Sequence, residues 1–100
     1  MNKKKNKTYH EDLIEILKDP EEAVGYLKAA LEESDVPEVF LIALRDVAEA
    51  YGMAQLARKS KLNRENLYRM LSKQGNPEFS SLQAILNALN FKLSVELKAS

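Results

Sequence analysis

Cysteine is absent from this 100-residue chain, which excludes disulfides and thiolate metal sites and suits a reducing cytoplasm. No apolar run approaches the roughly 20 residues that a membrane-spanning helix requires. The lysine-rich start MNKKKNK is followed by no apolar segment, so it does not read as a secretory signal. His10 is the sole histidine, and there is neither a glycine-rich phosphate loop nor a metal-ligand spacing. The paired carboxylates Glu21 with Glu22 and Glu32 with Glu33 fall in amphipathic stretches and read as solvated. The composition thus points away from an enzyme, a cofactor, a bound metal, a small-molecule substrate and a membrane. It points toward a cytoplasmic binding protein.

Net charge is lacking too: 15 basic residues balance 15 acidic ones. The balance conceals a segregation. Residues 51–100 hold eight basic residues against Glu65, Glu78 and Glu96, a net of +5. Residues 1–50 hold seven basic residues against twelve acidic ones, a net of −5. A basic half suits phosphates, whose released counterions drive association, while an acidic half would repel them and suit a basic protein. Ordinary solvated helix faces would account for any single charge. With 45% hydrophobic residues, the chain can build one core, but at this size it is marginal and dimerisation would help.

Helical periodicity runs through most of the chain. Residues 1–8 form a polar leader expected to be unstructured. Residues 11–18 place Leu13, Ile14 and Leu17 on one helical stripe. Asp19 and Pro20 stop that helix and start another over residues 21–33, with Ala23, Val24, Leu27, Ala30 and Leu31 inward. The same stop-and-start grammar at residues 34–37 opens a third helix to Tyr51, burying Phe40, Leu41, Leu44, Val47 and Ala48. Gly52 is expected as its left-handed cap. A final helix carries Leu82, Ile85, Leu86 and Leu89 behind Ser80 or Ser81 as cap. Between Lys73 and Pro77, Gly75 is expected to supply a positive φ.

Residues 53–71, MAQLARKSKLNRENLYRML, read as two short helices around a break at Lys61, Leu62 and Asn63. Asn63 suits an N-cap, and Leu67, Met70 and Leu71 make one apolar stripe on the second helix. Ala57 is small where the helices must cross, and Leu62 can plug the corner. This is a helix-turn-helix, a unit that presents the start of its second helix to the major groove.

The end differs. Phe91, Leu93, Val95 and Leu97 alternate with polar residues, the period-two signature of a half-buried strand. No second strand is evident, so the favoured partner is the same segment of a second copy across a two-fold axis. The alternative is an extended tail that covers the core and pairs with nothing.

The run from Ala29 to Phe91 resembles the HigA-like addiction-module antidotes, antitoxins with an Xre/Cro-type helix-turn-helix. The residues that carry the likeness are YLKAALEES at 26–34, FLIALRDVAEAYGMAQLA at 40–57, LNRENLYRMLSKQGNPEF at 62–79 and LQAILNALNFKLSVE at 82–96. The resemblance implies an all-α bundle of the lambda-repressor-like type, here with extra N-terminal helices and one C-terminal strand. It also implies neutralisation of a small basic toxin of the RelE/HigB-like kind and autorepression through double-stranded operator DNA, as a homodimer. Two positions depart from the family pattern: Lys61 and Asn90 stand where glycine is usual. A left-handed lysine would carry strain of roughly 1 kcal/mol or more and place a charge near the phosphates.

On this reading the chain divides into a leader (1–8), a helical extension (9–34), the DNA-binding domain (35–90) and a dimerising tail (91–100). Asn63, Arg64, Glu65, Asn66, Tyr68, Arg69 and Ser72 occupy the start and exposed side of the second motif helix and are the candidate base readers. Arg69 suits guanine and Asn66 adenine, while Glu65 suits cytosine or the orientation of a neighbouring arginine. Tyr68 is divided between core packing and contact to DNA. Gln55, Arg58, Lys61, Lys73 and Asn76 are placed for phosphate contact. The extension is surplus to a five-helix Xre-type core, and Tyr9, Leu13, Ile14, Leu17 and Tyr26 are its candidate toxin anchors; Leu27 and Leu31 are expected to pad the core instead. Phe91, Leu93, Val95 and Leu97 are the candidate dimer residues. Two rivals use the same core: a solitary Xre-type regulator without a toxin, and an interaction protein whose helix-turn-helix no longer binds DNA.

Overall fold

The computed structural model describes residues 8–99, so the expectation for the leader before Thr8 lies outside the described residues. Six helices follow in order: α1 (Tyr9–Ile16), α2 (Pro20–Glu33), α3 (Pro37–Tyr51), α4 (Met53–Ser60), α5 (Arg64–Met70) and α6 (Phe79–Ala88). Local chemistry sets most boundaries. Thr8 accepts from the Glu11 amide while the Glu11 carboxylate accepts from the Thr8 amide, a capping box that starts α1 two residues earlier than periodicity suggested. Asp19 caps α2 through the Glu21 amide, with Pro20 at the first helical position as expected. The last helix begins at Phe79 with Glu78 as its N-cap, so Ser80 and Ser81 lie inside its first turn rather than capping it.

Two glycines do different work from the one expected of them. Gly52 has φ 113° and ψ 110°, a positive φ outside the left-handed helical region. That geometry lets one residue end α3 and begin α4, redirecting the chain with no linker. Gly75 does not need a positive φ. It is required by proximity, because an added Cβ would collide with the Met70 carbonyl. The two residues standing in for glycine do adopt left-handed geometry: Lys61 with φ 63° and Asn90 with φ 69°. At Asn90 this completes a Schellman motif, in which the Phe91 amide donates to the Leu86 carbonyl at 2.8 Å and the Asn90 amide to the Asn87 carbonyl at 2.9 Å.

One core joins all six helices and the start of the tail. Leu44, Leu56, Leu67, Leu71 and Ile85 are sealed from solvent, and Leu17, Ala23 and Leu27 of the N-terminal part belong to the same cluster. Burial of each such leucine contributes about 1.5–3 kcal/mol. Met53 and Ala43 also enter this core, although the helical stripes did not include them. Val24 and Leu31 do not enter it. They sit on the outer side of α2, and Leu31 is 56% exposed.

A polar tie reinforces the seam between α2 and α3. The Tyr26 hydroxyl donates to Asp46 Oδ2 at 2.7 Å, and Asp46 is only 8% exposed. Burial, and then the hydrogen bond to Asp46, push the Tyr26 phenol above its ordinary value.

The C-terminal strand is not formed. Residues 91–99 make no helix and pair with no strand among the described residues. A lone strand has no partner for its backbone groups within this chain. Phe91 packs against the core, whereas Val95 and Leu97 are 97% and 100% exposed.

Two outcomes are expected for stability. Tyr26→Phe leaves Asp46 without its donor and should cost about 1–2 kcal/mol, read as a lower Tm and an unchanged helical circular-dichroism spectrum. Because the folded-state phenol is raised above the free value of 10.0, its contribution is complete below that pH and is lost as pH climbs through the raised value. The variant should therefore lose part of the wild type's decline at alkaline pH. Lys61→Gly should relieve left-handed strain and stabilise the fold by up to about 1 kcal/mol in urea denaturation.

Candidate nucleic-acid interface

The α4–turn–α5 unit is positioned by its buried leucines. Leu56 on α4, Leu67 on α5 and Leu71 just beyond it are fully enclosed, and half-buried Leu62 sits in the turn between the helices. Ala57 is half-buried on α4, packed against the same core. With those residues facing inward, Arg58, Lys59, Lys61, Arg64, Glu65, Arg69 and Lys73 remain exposed. Glu65 is the sole acid in that set, so the surface is strongly basic.

Asn63 caps α5 as expected: its Oδ1 accepts from the Glu65 amide at 2.7 Å and the Asn66 amide at 3.3 Å. The cap commits the oxygen and leaves the amide nitrogen as the group free to face outward. Asn66 and Arg69, assigned to separate bases by sequence reasoning, are joined. Arg69 Nη2 donates to Asn66 Oδ1 at 2.6 Å. Bidentate reading of adenine needs both the oxygen and the nitrogen of Asn66, so this pairing must open before Asn66 could read that base. As it stands, the asparagine orients the guanidinium.

Ser72 turns its hydroxyl back to the Arg69 carbonyl at 2.8 Å and is half-buried. Tyr68 is half-buried against the core, with the Arg45 guanidinium of α3 5.4 Å from its ring centroid. Arg45 was not foreseen, since nothing in its own helix marks it; only the fold brings α3 beside α5 here. Gln55 and Asn76 are exposed. Gln55 and Lys59 both reach Tyr51, whose phenol is held below its ordinary value by hydrogen bonding first from Lys59 and then from Gln55. The Lys59 ammonium also lies 5.7 Å from the Tyr51 ring centroid. A cleft of about 430 Å³ separates α5 from the loop after it, lined by Asn66, Arg69, Gln74, Asn76 and Ser81 among others. Asn66, Arg69 and Asn76 thus share one depression, and Gln74 joins them although sequence reasoning had left it out.

The candidate toxin anchors differ in exposure. Tyr9 is 83% exposed, Leu13 and Ile14 are half-buried, and Tyr26 is engaged with Asp46. Leu17 is 4% exposed within the core. It has no surface to offer a partner, because it is packed into the core cluster. Leu31, expected as padding, is by contrast open. Beside Tyr9, His10 Nε2 lies 3.1 Å from Glu49 Oε1, joining α1 to α3. His10, Asp46 and Glu49 bring three ligand-type atoms within 4.8 Å of one another, a grouping that no spacing along the chain displays. Each has a partner within the chain, and the contact is an ion pair where His10 is protonated.

No helix among the described residues is long and apolar enough to cross a membrane. A family model described as "probable addiction module antidote protein" matches residues 7–97. An uncharacterized protein of Haemophilus influenzae is 40% identical over 85 residues, which cover 85% of this chain and 87% of that protein. No solved structure matches the chain. With a match that takes in all six helices and most of the tail, this chain belongs to the addiction-module antidote family.

Proposed function

We propose that the chain is the antitoxin of a type II toxin–antitoxin module, a HigA-like protein that represses its own operon and neutralises a small basic RelE/HigB-like toxin. The observation that carries the DNA half is the geometry of the α4–turn–α5 unit. Enclosed Leu56, Leu67 and Leu71 fix a short second helix whose outward side is basic and whose start is capped by Asn63. Such a unit fits a major groove, with Arg69, Arg64 and the Asn63 amide facing base edges and Arg58, Lys61, Lys73 and Asn76 facing phosphates. Asn66 acts through Arg69. Tyr68 and Ser72 support α5 more than they read DNA, given their contacts inside the chain. Gln55 and Glu65 stand at the margin of the same surface.

The toxin half is supported by the family and by the acidic residues 1–50. We assign it to the outer faces of α1 and α2, with Tyr9, Leu13 and Ile14 as anchors. The functional division is then residues 9–34 for toxin, 35–90 for DNA and 91–100 for a homodimer on a two-fold symmetric operator. Family membership favours this over a solitary regulator. The exposed basic face favours it over an interaction protein that has ceased to bind DNA.

The test is fluorescence anisotropy of the full chain on its own upstream DNA across a salt series. Binding should weaken linearly in logarithmic plots as salt rises. Arg69→Ala should cost about 1–3 kcal/mol and relax preference at one base position. Asn66→Ala should cost less, and the double variant should fall well short of the sum, because the two side chains act as a unit. Lys73→Ala should weaken all sequences alike and reduce the salt slope. Absence of binding at low salt would remove the repressor half. For the toxin half, affinity capture from the native host should recover a small basic protein near one-to-one; recovery of the antitoxin alone would favour the solitary regulator.

A further inference from the structure

The tail leaves an unmet requirement. Among the described residues no backbone hydrogen bond holds residues 92–98, and Leu93, Val95 and Leu97 are all exposed. Beside it runs a groove of about 420 Å³ between α2 and the tail. Val24, Leu31, Phe40, Phe91 and Leu93 line it, with Lys92 and Glu96 also on its walls. Nothing in the described chain fills it.

We propose that residues 91–97 of two copies of this chain pair as an antiparallel ribbon with Ser94 on the two-fold axis. This rests on the homodimer reading above and specifies its register. In an antiparallel pair, directly opposite residues share a face, so apolar positions must meet apolar ones. That condition excludes every register in which an odd-numbered residue faces an even-numbered one. Among the rest, charge decides. With Ser94 opposite its own copy, Lys92 faces Glu96 at both ends, Phe91 faces Leu97, and Leu93 faces Val95. Centring on Val95 instead sets Lys92 against Lys98, and centring on Glu96 sets glutamate against glutamate. Centring on Leu93 leaves Lys92 facing Ser94 and brings Asn90 opposite Glu96, which breaks the Schellman motif that ends α6.

The Ser94 register also supplies what fills the groove. The partner's copy of the tail brings its Val95 opposite Leu93 and its Leu97 opposite Phe91, the two apolar tail residues that line the groove beside α2. A two-stranded ribbon alone is marginal in water, so packing on α2 at both ends is what makes it stable. The exposed Val24 and Leu31 of α2 then belong to the dimer interface.

Because the chain has no cysteine, Ser94→Cys introduces a single thiol. Opposite residues of an antiparallel pair lie about 4.5–5.5 Å apart at Cα, within disulfide range. Under mild oxidation the full-length S94C protein should form a disulfide dimer, faster than L93C, V95C or E96C. By sedimentation equilibrium, K92E or E96K alone should weaken the dimer by about tenfold, since either sets like charges opposite at both pairs. The double variant K92E/E96K should restore it. A monomer at all concentrations, fastest crosslinking at a position other than 94, or no rescue by the double variant would each overturn the proposal. A dimer that binds operator DNA yet fails to crosslink at 94 sinks this register and leaves the repressor reading intact. A crosslinked dimer that binds no DNA does the reverse.

Discussion

Three enclosed leucines carry the arrangement on which everything outward-facing depends. Leu56, Leu67 and Leu71 press α4 and α5 together, and only Lys61, Leu62 and Asn63 are available to connect the helices. With so short a turn, the chain must pass through a left-handed residue, and here that residue is lysine. Asn63 then restores helical hydrogen bonding on the far side. Helices of eight and seven residues would be unstable alone, since nucleation costs more than so few bonds return. The core supplies the difference, and in doing so fixes which side of α5 is exposed and basic.

The N-terminal helices are part of that same construction. Leu17, Ala23 and Leu27 lie in the cluster that holds α3 to α6, and the part-buried Tyr26 to Asp46 hydrogen bond crosses the seam. Any partner surface on α1 and α2 is therefore borne by the body that also holds α5. The outer residues of those helices are free to serve a partner, and the inner ones are not.

Much of this was legible before any coordinates. The helix count, the Asp19 and Pro20 boundary, the Asn63 cap and the buried stripe through Leu67 and Leu71 all follow from spacing and capping chemistry. What could not be read depends on which neighbour each side chain meets. Periodicity assigns Leu31 inward, yet it is open to solvent; Leu17 suits either side by spacing alone, yet it is enclosed in the core. Arg45 beside Tyr68, and Asn66 bonded to Arg69, are contacts that sequence distance hides or leaves optional. The period-two tail suggests a strand, yet alternation specifies only a tendency, and a strand exists only with a partner to bond.

Gly52 closes α3 and opens α4 with nothing in between. Such a joint has no slack. Each residue inserted there would turn α4 by about 100° about its axis and lift it by about 1.5 Å, carrying Leu56 out of the core. The stretch between α5 and α6 has room that this joint lacks, with several residues of irregular backbone. Length variation among related chains should accordingly collect after α5 and be missing at the α3–α4 corner, so that the corner acts as the fixed datum from which the rest of the molecule is measured.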